Sequence, residues 1–170
     1  MPETKIPVLS IETSQIMKTE PFLIEQRYKA TVERVWKALT DSEEMRTWYF
    51  DIAEFNPIPG FEFEFVSGPD EKRQYLHKCK VTEVITGQRI AYTWRYEGYE
   101  GNSLVIFDLT DERGLAKLKL THEGLHTFPQ GEPDFSPESF AEGWNWIIGT
   151  VLKLHVEKPV ARQSQSSYNF

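Results

Sequence analysis

The sequence predicts an α+β domain in which a curved antiparallel sheet wraps one long C-terminal helix, with two short helices placed after the first strand. Three observations carry this. Strand-like runs separated by short turn-forming breaks fill the middle of the chain; helical spacing occupies residues 31–48; and one long amphipathic pattern follows Ser136-Pro137. That order is incompatible with a doubly wound parallel sheet, which needs strands alternating with helices.

Taken in order, Phe22 to Tyr28 reads as a strand. Thr31 is a plausible N-cap for a helix whose Val32, Val35, Trp36 and Leu39 follow i, i+3, i+4, i+7 spacing. Ser42 to Trp48 is a second short helix, with Glu43 and Glu44 in the first turn, where negative charge complements the helix dipole, and with Met45, Trp48 and Tyr49 as its apolar contribution. After the turn signal Asn56, Pro57, Pro59, Gly60, the residues Phe61, Phe63 and Phe65 alternate with Glu62 and Glu64 as a half-buried strand does. Strands follow at Gln74 to Ile85, Ile90 to Tyr96, Ser103 to Leu109 and Leu115 to Glu123, and their short connections make the sheet antiparallel. Within Ser103 to Leu109, Leu104 and Ile106 compete with Val105, Phe107 and Leu109 for the inner face, and Asp108 favours the second set. Ser136 as N-cap and Pro137 at the first helical position introduce Phe140, Trp144, Ile147, Ile148, Val151, Leu152 and Leu154, and Pro159 ends the helix. Residues 1–20 read as a loosely ordered arm, 21–159 as the domain and 160–170 as a polar tail.

Composition narrows the function classes. A chain of 170 residues, 39% hydrophobic, is one domain with ample core material. The net charge of −7 repels a phosphate backbone, so nucleic acid is not an expected partner. No apolar run approaches the roughly 20 residues that span a bilayer, so integral membrane association is not expected. The single cysteine, Cys79, and a start without a secretory pattern point to the cytoplasm.

The segments Ala30-Thr31-Val32-Glu33-Arg34-Val35-Trp36-Lys37-Ala38-Leu39-Thr40-Asp41, Trp48, Gly60, Val81-Thr82-Glu83-Val84, Ile90-Ala91-Tyr92-Thr93-Trp94, Leu118-Lys119-Leu120-Thr121-His122-Glu123-Gly124-Leu125 and Gly143-Trp144 come in a recognisable order. Over residues 22–158 this resembles the family related to the C-terminal domain of the activator of Hsp90 ATPase, within the START and birch-pollen-allergen-like superfamily. The resemblance implies the helix-grip fold, and the superfamily includes lipid carriers, hormone receptors, polyketide cyclases and cochaperones. Within it, Gly143 is expected to let the long helix start close to the sheet.

Two patterns invite chemistry. His122-Glu123-Gly124-Leu125-His126 matches the H-E-x-x-H zinc pattern by letter, but that pattern works on a helix, and here Leu118, Leu120 and His122 alternate as a strand before Gly124. No metal is expected there. His77 and Cys79 share a strand face with Tyr75 and Val81, yet nothing visible activates the thiol. His155, near the helix end, is expected to complement the negative pole of the dipole.

The leading expectation is non-catalytic binding of a small hydrophobic or aromatic molecule between sheet and long helix, with no cofactor. The expected walls are Trp48, Phe63, Tyr75, His77, Tyr92, Trp94, Leu120, His122, Trp144, Ile148 and Leu152. The competing account of the same residues is a solid core, since interiors are normally close-packed. The resemblance adds two alternatives: a chaperone partner, as for an Hsp90-type cochaperone or stress-response interaction protein, although the separate N-terminal domain of complete cochaperones is not seen; and an aromatase or cyclase-like enzyme in which His77, His122 or Tyr75 moves protons.

Overall fold

In the computed structural model, which describes residues 20–159, the helices and strands fall where their spacing places them. The expected arm and tail lie outside the described residues, apart from Glu20. Six strands, β1 (Phe22–Arg27), β2 (Glu62–Ser67), β3 (Tyr75–Ile85), β4 (Arg89–Tyr96), β5 (Ser103–Glu112) and β6 (Leu115–Glu123), form one antiparallel sheet in the order β1-β6-β5-β4-β3-β2. Two short helices, α1 (Val32–Thr40) and α2 (Ser42–Trp48), bridge β1 and β2. The long helix α3 runs over 137–156 as Pro137–Trp146, a π-helical turn Ile147–Val151, and a last turn Leu152–Val156.

Local chemistry sets the boundaries. Thr31 accepts from the Arg34 amide at 3.1 Å, the Asp41 carboxylate from the Glu44 amide at 3.0 Å, and Ser136 from the Ser139 amide at 3.1 Å, so each helix begins on a side-chain cap. On β5, Val105, Phe107 and Leu109 turn inward, and Asp108 stays on the outer face paired with Arg89. The pairing of β3 with β4 slips by one residue between Val81 and Glu83, and this bulge at Thr82 bends the sheet around the helix. Gly124 ends β6 with φ +85; a Cβ there would lie 2.9 Å from the Asn102 carbonyl, so the backbone turns away from the sheet at a position open to glycine.

The helices are tied together by charge as well as packing. Glu44 on α2 receives Arg34 Nη1 from α1 at 2.6 Å and His155 Nε2 from α3 at 2.9 Å. A carboxylate only accepts, so the proton of this bond sits on Nε2 of His155. His155, 8% exposed and in the last turn of α3 as expected, is thus also an inter-helix tie. Burial acts to raise the Glu44 pKa, but the hydrogen bonds from Arg34 and His155 prevail and hold it below the ordinary carboxylate range. Removing the carboxylate strands both donors, so Glu44→Ala is expected to cost roughly 1 to 3 kcal/mol in urea unfolding, and a loss below about 0.5 kcal/mol would show the tie to be energetically idle.

Candidate functional site: an aromatic cavity beside the long helix

The interior divides into a filled part and an open part. A cavity of about 720 Å³ lies between the β2–β4 end of the sheet, the chain leaving α2, and the first half of α3. Its position follows from the pleat: Tyr75 and His77 on β3, with Trp94 and Tyr96 on β4, turn toward the helix. From the helix side, Ser139, Glu142, Gly143, Trp146 and Ile147 recur at helical spacing and front the space, with Trp144 one stripe deeper. Trp48, Tyr49 and Phe50 close the third side.

Of the residues expected as walls, Trp48, Tyr75, His77, Trp94 and Trp144 line this cavity. Phe63, Tyr92, Leu120, His122, Ile148 and Leu152 do not; each is at most 6% exposed and belongs to the close-packed core. Phe63 meets Phe55 and Tyr92 edge-on at 5.0 Å, and the Tyr92 hydroxyl is held by Tyr49 at 2.8 Å.

His122 shows how fully that core is satisfied. The Trp144 indole N–H donates to its Nδ1 at 2.9 Å, so Nδ1 carries no proton and Nε2 does. Nε2–H meets Ser103 Oγ at 2.8 Å, and Ser103 donates onward to the Trp94 carbonyl at 2.7 Å. The chain Trp144–His122–Ser103–Trp94 therefore fixes a neutral ring with both nitrogens engaged, and burial pushes its pKa down to about 3. His126 lies beyond Gly124 in the exposed turn Leu125–Thr127. The two histidines of the zinc-like pattern thus do not share a helix face, and among the described residues no group of three or more His, Cys, Asp or Glu gathers as a metal site requires.

His77 differs from His122 in what it leaves open. Its ring stacks on Phe65 with centroids 4.4 Å apart and stands edge-on to Trp94 at 5.0 Å. Nδ1 lies 3.0 Å from the Tyr75 carbonyl, which can only accept, so Nδ1 carries the proton and Nε2 offers a lone pair. Burial pushes this pKa down to about 4. Tyr75 donates its hydroxyl to Asp134 at 2.6 Å, and this bond, with burial, pushes its pKa up to about 12. Cys79 is buried in the core, not on the cavity wall, and burial pushes its thiol pKa well up.

Several lining residues were not singled out by sequence reasoning. Asp134, Phe50 and Phe135 are brought to the cavity by connecting segments, Glu142 lies on the exposed side of α3, and Tyr49 and Phe140, expected among the apolar residues of their helices, were not expected as walls. One signal was available: Trp146 falls on the polar side of α3, and it is 62% exposed at the cavity mouth. Gly143 is also corrected. A Cβ built there meets nothing within 4 Å, so this glycine does not serve a close approach of helix and sheet; it leaves the cavity open.

A six-stranded sheet gripping a long helix, with an aromatic cavity beside that helix, defines a helix-grip domain. The chain belongs to the family described as Activator of Hsp90 ATPase homolog 1-like protein, whose profile matches residues 29–157. Among solved structures, protein CV1439 from Chromobacterium violaceum superposes with a TM-score of 0.70 at 21% identity, covering 82% of this chain and 99% of that one. CalU16 from Micromonospora echinospora gives a TM-score of 0.61 at 23% identity, covering 86% of this chain and 82% of that one. DynU16, from the dynemicin biosynthetic locus, gives 0.66 at 19% identity, covering 82% of this chain and 48% of that one. At these identities the likeness concerns the fold. A search of curated protein sequences finds no match. No helix among the described residues is long and apolar enough to cross a membrane.

Proposed function

We propose that this domain binds a small hydrophobic or aromatic molecule in the cavity between sheet and long helix, without transforming it. The observation that carries the reading is a cavity of about 720 Å³, walled by Trp48, Phe50, Trp94 and Trp144, beside the long helix. That volume lies in the range of small-molecule sites, and aromatic walls with a few polar points are their usual lining. The nearest titratable groups suit holding better than proton transfer: His77, at about 4, is neutral near pH 7, and Tyr75, at about 12, keeps its proton. One structural neighbour, DynU16, comes from a biosynthetic locus, which is compatible with a ligand of natural-product type. The single buried thiol suits a reducing compartment such as the cytoplasm. The family description also raises a chaperone partner; the aromatic lining of the cavity ranks the small molecule first.

In an NMR titration with a panel of apolar aromatic compounds, shifts are expected at Trp48, Tyr75, His77, Trp94 and Trp146, with Lys80 and Lys119 on the outer sheet face unmoved. Absence of shifts across flavonoid, polyketide-like and lipid probes would remove the binding reading and leave surface interaction as the function to pursue.

A further inference from the structure

The charge on the cavity wall is lopsided. Three of its four indole N–H groups are engaged with the protein: Trp48 donates to the Ala38 carbonyl at 2.8 Å, Trp94 to the Tyr96 hydroxyl at 2.9 Å and Trp144 to His122 at 2.9 Å, while Trp146 at the mouth keeps its N–H exposed. The Tyr75 hydroxyl donates to Asp134. Acceptors remain. His77 is 6% exposed and presents Nε2 with no protein partner among the described residues, because its proton is on Nδ1 facing the Tyr75 carbonyl. Glu142, one helical turn from the mouth tryptophan Trp146, forms no ion pair among the described residues. Asp134 also lines the space, its charge shared with Arg73 Nη1 at 2.8 Å. No lysine or arginine lines the cavity.

Resting on the cavity-binding reading, we propose that the ligand is a hydrophobic amine: an apolar ring system carrying an ammonium group directed to the Glu142 side of the mouth. An ammonium supplies donors and positive charge where the protein offers a neutral imidazole acceptor, an unpaired carboxylate and aromatic faces, whose electron-rich planes attract cations. A carboxylate on the same skeleton would meet Glu142 and Asp134 with no cation on the wall to receive it. The net charge of −7 biases the approach of ligands in the same direction.

The test is a matched series on one skeleton, 2-naphthylmethylammonium, 2-naphthylmethanol and 2-naphthoate, titrated into the full chain by calorimetry and located by NMR. The ammonium is expected to bind at least about tenfold more tightly than the carboxylate, with the alcohol between, as one partly desolvated charge contact supports. Glu142→Gln, an exposed and near-isosteric change, is expected to shrink that ratio several-fold while alcohol binding stays constant. Equal or tighter binding of the carboxylate, or a ratio untouched by Glu142→Gln, overturns the amine assignment while the cavity reading stands. Ammonium binding with shifts away from Tyr75, His77 and Trp94 overturns it as well. If none of the three probes binds, the amine assignment falls together with the cavity reading.

Discussion

Lowering the pH from 7.5 to 4.5 is expected to remove on the order of 5 kcal/mol of folding stability, a large part of the roughly 5–15 kcal/mol that domains possess. The cause is the pair of buried neutral imidazoles. Burial lowers His122 from 6.5 to about 3 and His77 from 6.5 to about 4, so in the folded state both remain uncharged across this interval. In the unfolded chain they protonate near 6.5. The unfolded state therefore binds more protons than the folded one, and stability rises with pH throughout the window. The contribution is complete above about 6.5, falls by about 1.4 kcal/mol per histidine per pH unit below it, and is exhausted once pH passes first the folded His77 value and then that of His122. Urea unfolding at half-unit steps of pH measures the slope. His77→Phe, which keeps a ring against Phe65, is expected to halve it. Stability that is flat from pH 7.5 to 4.5 would mean that both rings reach water in the folded state.

Substituting Gly143 by leucine is expected to abolish ligand binding while leaving the domain at least as stable as before. The glycine lies in the helical segment Pro137–Trp146, its Cβ position is open, and its neighbours on the same face line the cavity. A leucine there projects into the volume a ligand occupies. Replacing glycine inside a helix also removes a backbone-entropy penalty of about 0.5 to 1 kcal/mol, so the side chain obstructs the cavity without the strain that overpacking a filled core produces. Paired melting curves and titrations separate the two effects. Gly143→Leu with unchanged affinity would place the ligand elsewhere, and a cooperative loss of fold would show that this face of α3 is already occupied. The same enlargement at Leu152, fully buried among core residues, would report on packing alone.

The fold was legible because its signals are local. Alternation in Phe61-Glu62-Phe63-Glu64-Phe65, the capping residues Thr31 and Ser136, and the 3.6-residue spacing of Phe140, Trp144 and Ile148 each announce an element within a few residues of chain. Which side chains turn inward was legible for the same reason, and the inner set Val105, Phe107 and Leu109 follows the choice that Asp108 favoured. Where the interior stays open was not. Trp94 and Tyr92 lie two residues apart on one strand face, yet Trp94 borders the cavity and Tyr92 packs against Phe63 and Phe107. That distinction depends on the distance between α3 and each part of the sheet, a property of the assembled layers rather than of any window of sequence. Asp134 and Tyr75, 59 residues apart, meet only after folding, as do Glu44 and His155, 111 residues apart.

The π-helical turn Ile147–Val151 contributes Ile147 and Val151 to the cavity wall, and the Leu152 amide reaches back five residues to the Ile147 carbonyl. Tyr28 donates its hydroxyl to the Ile148 carbonyl at 2.7 Å within this wider turn. Such a turn holds one residue more than an α-helical turn over the same span. It therefore separates the phase of the helix before it, which presents Gly143 and Trp146 to the cavity, from the phase after it, which brings Leu152 and His155 into the core. In evolutionary terms the turn is a place where the chain can change length by one residue: losing one converts the bulge to regular helix and keeps the last turn in register, whereas the same loss elsewhere in α3 would swing His155 about 100° around the axis and away from Glu44.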